Sequence, residues 1–155
     1  MLNSSFKPKL LIPPLKTTTI VQKVYYSISK GDVDNKLISD ILEHSRKSNL
    51  EKNITGCLLY HNNVFLQLLE GDKTTVETLF DVIKEDSRHK EVTEIFYETV
   101  NNRIFPNWSM AYHELDDTDE EVKKFIKSIR FFSQNNEKPT KAIEIFWNMA
   151  KYIAN

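Results

Sequence analysis

The chain has 155 residues, 40% of them hydrophobic and 28% charged, with a formal net charge of −1. That length suits one domain with a sizeable core, and the balanced charge argues against a general nucleic-acid or membrane-surface binder, which carries a basic excess. Cys57 is the lone cysteine, so no intramolecular disulfide can form and a reducing, cytoplasmic setting is the simpler reading.

Residues 1–19 read as an extended arm, because Pro13-Pro14 interrupts Leu10-Leu11-Ile12 before it reaches the length of a signal-peptide core. No apolar run approaches the roughly 20 residues of a membrane-spanning helix. The first predicted strand is Ile20 to Ser27, rich in β-branched and aromatic residues, followed by the turn Lys30-Gly31-Asp32. From Val33 to Asn49 the pattern becomes helical, with Leu37, Ile38, Ile41, Leu42, Ser45 and Asn49 on one face. Strands follow at Ile54–Tyr60 and Val64–Glu70, joined by a hairpin turn at His61-Asn62-Asn63.

A second helix is expected from Gly71-Asp72 to about Asp86, with Thr74-Thr75-Val76-Glu77 as a capping box and Val76, Leu79, Phe80 and Ile83 as its apolar stripe. Glu91–Val100 reads as a fourth strand and Asn107–Tyr112 as a short fifth, with Trp108 and Met110 sharing a face. The order βαββαββ predicts an α+β, ferredoxin-like sheet with two helices on one face. Val64-Phe65-Leu66-Gln67-Leu68-Leu69 does not alternate, so both faces should be covered. Two amphipathic stripes between residues 116 and 155 predict a C-terminal two-helix cap over the second face. The expected divisions are an arm (1–19), a main domain (20–115) and the cap (116–155).

Several polar residues fall where the core should be. Gln67 shares a strand face with Phe65 and Leu69, and its amide left unpaired there would cost about 1–3 kcal/mol, so it needs a partner. Ser45 and Asn49 continue the buried stripe of the first helix, Tyr25 and Ser27 alternate on the first strand, and Asp86, Arg88 and His89 cluster after the second helix. Each alone is more often structural than functional. The sequence carries no glycine-rich phosphate loop, no Gly-x-Ser-x-Gly and no His/Cys pair at metal-ligand spacing. No catalytic or metal site is therefore expected, and Cys57 reads as a small buried hydrophobe.

Together these residues resemble the BLUF family of flavin photoreceptors. The blocks are Tyr25-Tyr26-Ser27; Ser45 with Asn49; Ile54-Thr55-Gly56; Val64 to Gly71; Asp86-Ser87-Arg88-His89; and Arg103 to Met110, in the family's order and spacing. The resemblance implies a non-covalently bound flavin, FAD with FMN as the alternative, held by Tyr25, Ile28, Ser45, Asn49, Gln67, Arg88 and His89. It implies a photoactive switch built from Tyr25, Gln67, Trp108 and Met110. It also implies output through a downstream partner protein and assembly into homo-oligomers, as in the short single-domain members. Gln22-Lys23 departs from the pattern, standing where an arginine and an apolar residue are common, and Ser48 replaces a His or Asn.

Three rival readings compete. An acylphosphatase-like hydrolase needs an anion cradle after the first strand, where Asp32 and Asp34 would repel the anion. An RNA-binding module needs an open aromatic sheet face in basic surroundings. A flavin-free protein-interaction adaptor on the same fold is the stronger alternative.

Overall fold

The computed structural model describes residues 19–116 together with Thr118, Glu120, Lys123, Lys124, Lys127 and Asn148. Its elements follow the expected order: β1 (Ile20–Ser29), α1 (Asn35–Glu51), β2 (Thr55–His61), β3 (Val64–Asp72), α2 (Lys73–Glu85), β4 (His89–Val100) and β5 (Ala111–Glu114). The sheet order is β4-β1-β3-β2-β5, antiparallel throughout except where β5 runs parallel to β2. This is the α+β ferredoxin-like arrangement.

Local chemistry explains the boundaries. The Asp34 side chain caps α1 by accepting from the Leu37 N–H at 2.8 Å. Asn62 and Asn63 both adopt positive φ (43° and 65°), as a two-residue hairpin turn demands, so β2 and β3 meet without slack. Gly56 is fixed by close strand approach: a Cβ there would stand 1.9 Å from the Leu68 carbonyl oxygen.

Two expectations need correction. Asp72, not Thr74, caps α2, its carboxylate accepting from Thr75 N at 3.2 Å; an aspartate ending a strand can turn straight into the helix, so no separate capping box is needed. β5 begins at Ala111, so Trp108 and Met110 lie in the loop before it and do not share a strand face. Trp108 is half exposed at 52%, while Met110 is buried.

The two sheet faces carry separate cores. One joins Val21, Tyr25, Leu58, Phe65 and Leu69 to Ile38 and Leu42 of α1 and to Val76 and Phe80 of α2, so both helices cover the same face. The other joins Val24, Tyr26, Cys57, Leu59, Leu66 and Leu68 to Ile95, Phe105, Ala111 and Leu115. β3 is buried from Val64 to Gly71, which explains its continuous apolar run. The stripes assigned to the cap, and the arm up to residue 18, lie outside the described residues. Among the described residues no helix is long and apolar enough to cross a membrane.

Candidate functional site

β1 and β3 are antiparallel neighbours, and their register puts Tyr25 directly opposite Gln67. Both side chains project onto the helical face, where cross-strand partners stand close enough to bond. The Tyr25 hydroxyl donates to Oε1 of Gln67, and Nε2 of Gln67 donates to Sδ of Met110 at 3.4 Å. The amide that the sequence marked as needing a partner thus has one on each side. Its N–H, however, meets a thioether, a weak acceptor. Burial, aided by the Asp86 charge, pushes the Tyr25 phenol well above its ordinary range, so it is protonated at neutral pH.

This pair forms the floor of a cleft between α1 and α2. Ile41, Ser45, Ser48 and Asn49 of α1 line one wall, Leu79, Val82 and Ile83 of α2 the other, and Asp86, Arg88 and His89 close one end. Asn49 is buried, and its Nδ2 donates to the Ser109 carbonyl at 2.9 Å. Arg46, one turn earlier, donates from Nε to the Met110 carbonyl at 3.0 Å. α1 therefore holds the Ser109-Met110 segment by its backbone, while β3 holds Met110 by its side chain.

At the closed end, Arg88 chelates Asp86, with Nη2–Oδ2 at 2.6 Å and Nε–Oδ1 at 3.0 Å. These bonds hold the Asp86 carboxyl down at about 2. His89 Nδ1 lies 3.0 Å from Ser27 Oγ, and its ring packs edge-on against Phe65 at 5.7 Å. Burial lowers the His89 pKa, the Asp86 charge opposes that and the Arg88 charge adds to it, with burial winning.

Of the residues expected at the site, Tyr25, Ser45, Asn49, Gln67, Arg88 and His89 all line this one cleft. Ile28 does not. It stands opposite Val64 and two residues on from Tyr26, whose side chain packs in the core of the other face. Strand alternation places Ile28 with that set. Met110 touches Gln67 from the side, whereas Trp108 reaches neither residue of the pair and holds β2 through its carbonyl, which accepts from Gly56 N at 3.2 Å.

Sequence reasoning missed a second polar cluster behind the site. Glu70 is fully buried, and its carboxylate accepts from Gln22 Nε2 (2.9 Å), Ile104 N (2.6 Å), Phe105 N (2.8 Å) and Thr55 Oγ1 (3.3 Å). Arg103 adds bonds to the Glu70 carbonyl and to Thr55 Oγ1. Glu70 thus pins the loop that leads to Trp108 and Met110. The signal available in the sequence was a glutamate at the end of a strand apolar on both faces.

A family profile described as "Sensors of blue-light using FAD" matches residues 20–111, more than half of the chain. The chain belongs to this BLUF family. Among curated relatives, the Euglena gracilis photoactivated adenylate cyclase subunit beta is 32% identical over 95 residues, covering 61% of this chain but only 11% of that protein. Among solved structures, the dark state of BlrB, a BLUF protein, superposes with a TM-score of 0.67 at 26% identity, covering 89% of this chain and 97% of BlrB. A bacterial light-regulated adenylyl cyclase gives a TM-score of 0.65 at 30% identity, covering 76% of this chain and 34% of that one. The chain is therefore a BLUF-type flavin-using blue-light sensor domain, and it spans a small part of the cyclases it resembles.

The residues present fit a flavin. A planar, largely apolar ring with hydrogen-bonding edges suits a slot with an aliphatic α2 wall, a Tyr–Gln floor and Ser45 and Asn49 on the α1 wall. The Gln67 N–H held only by sulfur is a donor that a ring nitrogen or carbonyl would satisfy better. The enclosed space is about 100 Å³, below the roughly 300–1,000 Å³ usual for ligand pockets. Ile41, Ser45, Leu79 and Ile83 along its walls are half-buried. A second groove of about 540 Å³ runs past His61, Asn62, Glu114 and Asp116, where the acidic rim would repel an anionic flavin phosphate.

Proposed function

We propose that this BLUF domain binds its flavin non-covalently in the cleft between α1 and α2 and reports blue light through the Tyr25–Gln67–Met110 hydrogen-bond chain. The observation that carries the proposal is the single buried amide bonded to a phenol on one side and to the loop before β5 on the other.

When bound, the flavin supplies a light-generated oxidant that takes one electron and one proton and later returns both. Tyr25 is a one-electron donor whose proton already points at Oε1 of Gln67. Gln67 can accept there and release from Nε2, because one rigid amide carries both functions. If the amide ends the cycle rotated or tautomerised, Met110 loses its donor and the ring edge gains a different one. Asn49 and Arg46 hold the Met110 segment only by its backbone, so losing the side-chain bond shifts that segment between two packings. Asn49 and Ser45 would orient the ring edge, and Arg88 and His89 would face the ribityl or phosphate end, with Asp86 competing for Arg88.

FAD is the favoured flavin, with FMN as the alternative. The output passes to a separate protein, and the domain self-associates. Supporting the reading, Cys57 belongs to the core of the opposite sheet face, away from the cleft, and burial, aided by the Glu70 charge, pushes its thiol up to about 12. The test is direct. The purified protein should be yellow, denaturation should release a flavin that chromatography identifies, and blue light should shift its absorption slightly to the red. A colourless protein that takes up neither FAD nor FMN would leave the flavin-free adaptor as the better reading.

A further inference from the structure

Lys23 lies on the same face of β1 as Tyr25, buried at 3% exposure. Its Nζ donates to Oε2 of Glu94 at 2.6 Å and of Glu77 at 3.0 Å. The ammonium sits 4.3 Å from the centroid of the Phe80 ring, and that ring lies 5.3 Å from the ring of Tyr25. Tyr97 flanks the ammonium at 5.2 Å. Lys84 also faces Phe80, at 5.1 Å, but it is half exposed and paired with Asp81. Burial draws the Lys23 pKa down, and the bonds and charges of Glu94 and Glu77 more than offset it, so the group is firmly charged.

A buried ion pair is weak ground for stability, since apolar residues of similar volume commonly replace one without loss. Stability alone therefore does not account for a lysine here. We propose that Lys23 is a positioning residue acting through Phe80 on Tyr25, its ammonium setting how readily the phenol gives up an electron. The proposal rests on the flavin reading above. One electron would leave the Tyr25 ring for the photoexcited flavin first, the phenolic proton would then pass to Oε1 of Gln67, and both would return in the dark, so nothing is consumed. Positive charge developing on the ring is opposed by Lys23 and favoured by Glu77, Glu94 and Asp86. In the poorly screened space between β1 and α2 one unit charge is enough to change such a rate several-fold.

Two variants with opposite charge effects separate this role from packing. Lys23→Met keeps the stem and removes the charge. Glu94→Gln keeps an acceptor and removes a balancing negative charge from a partly exposed site. In the flavin-loaded protein, the excited-state lifetime of the flavin should shorten several-fold in Lys23→Met and lengthen in Glu94→Gln. In flavin-free protein carrying a difluorotyrosine, whose phenol ionises low enough for Lys23 to stay charged, the Tyr25 resonance followed by fluorine NMR should titrate higher in Lys23→Met and lower in Glu94→Gln. Tyr25→Phe assigns the resonance. Should Lys23→Met fail to fold, Glu94→Gln and Glu77→Gln must still lengthen the lifetime, and more so together. Shifts in one common direction, or none, overturn the proposal. In a wild type that takes up no flavin, the flavin reading fails separately and the fluorotyrosine titration alone decides whether Lys23 acts on Tyr25.

Discussion

Nε2 of Gln67 donates to Sδ of Met110 across 3.4 Å, joining the centre of the sheet to the loop that precedes its last strand. Gln67 is the only described residue that bonds both Tyr25 and Met110 through its side chain. An event at the phenol therefore reaches the loop through one amide. The replacements Tyr25→Phe and Gln67→Ala should each retain flavin, since Asn49, Ser45 and the helix walls remain, yet lose the red shift. A normal photocycle in either variant would show that the proton travels another way.

Met110→Ala should leave the red shift in place and weaken its transmission. Removing the thioether leaves Gln67 free to bond the ring, so light still reorganises the amide, while the loop loses its side-chain tie to β3. Hydrogen exchange of residues 103–115 should differ between dark and light in the wild type, with little change in α2, and should be nearly equal in Met110→Ala. Equal exchange in the wild type would send the signal out by a different surface.

The backbone register was the most legible part of the sequence. The β-branched run of β1 and the continuous apolar run of β3 place Tyr25 and Gln67 on one face, and antiparallel pairing then brings them together. The loop before β5 was harder to read, because Trp108 and Met110 are two apart and mimic strand alternation, though one is exposed and the other buried. Ile28 looked like a cleft residue from the family pattern, but strand parity sends it to the other face. The Glu70 latch was hidden because a single acidic residue gives no sign of its partners, here two backbone amides more than thirty residues away.

That latch makes a stability prediction. Glu70→Ala leaves four donors without their acceptor, three of those bonds buried, and bonds to a charged group are each worth about 1.5–3 kcal/mol. Denaturant unfolding should show a loss of at least ~3 kcal/mol, while exposed Glu85 changed to Ala should cost almost nothing. Equal effects would mean that the carboxylate is not the anchor of the 103–105 loop.

The pH response should have two separable parts. The folded pKa of His89 lies below its ordinary value of 6.5, so the fold favours the neutral ring and its contribution is lost as pH falls below 6.5. Asp86 has a folded pKa lowered from 3.8 to about 2, so its contribution is present above 3.8 and lost as pH falls toward 2. Melting curves across this range should show His89→Gln flattening the upper limb and Asp86→Asn the lower. Superimposable wild-type and variant curves would mean that neither group sets the pH response.

The flavin should be held without a covalent bond, because Cys57 is buried on the far side of the sheet. Cys57→Ala should give the same light response as the wild type. Excess flavin should raise the melting temperature by several degrees, as any ligand that binds only the folded state does, with about 2.7 kcal/mol expected at a hundredfold excess over Kd.

If light rearranges hydrogen bonds around an unchanged ring, with the Gln67 amide as the moving part, a light-minus-dark infrared spectrum reads those bonds themselves. A stronger hydrogen bond lowers the stretching frequency of the carbonyl that accepts it. The wild type should show a flavin carbonyl band moving to lower frequency while the visible absorption stays that of oxidised flavin, and Gln67→Ala should show no such movement. A carbonyl band that stays in place in the illuminated wild type, or that moves equally in Gln67→Ala, would mean that the Gln67 amide is not the switch.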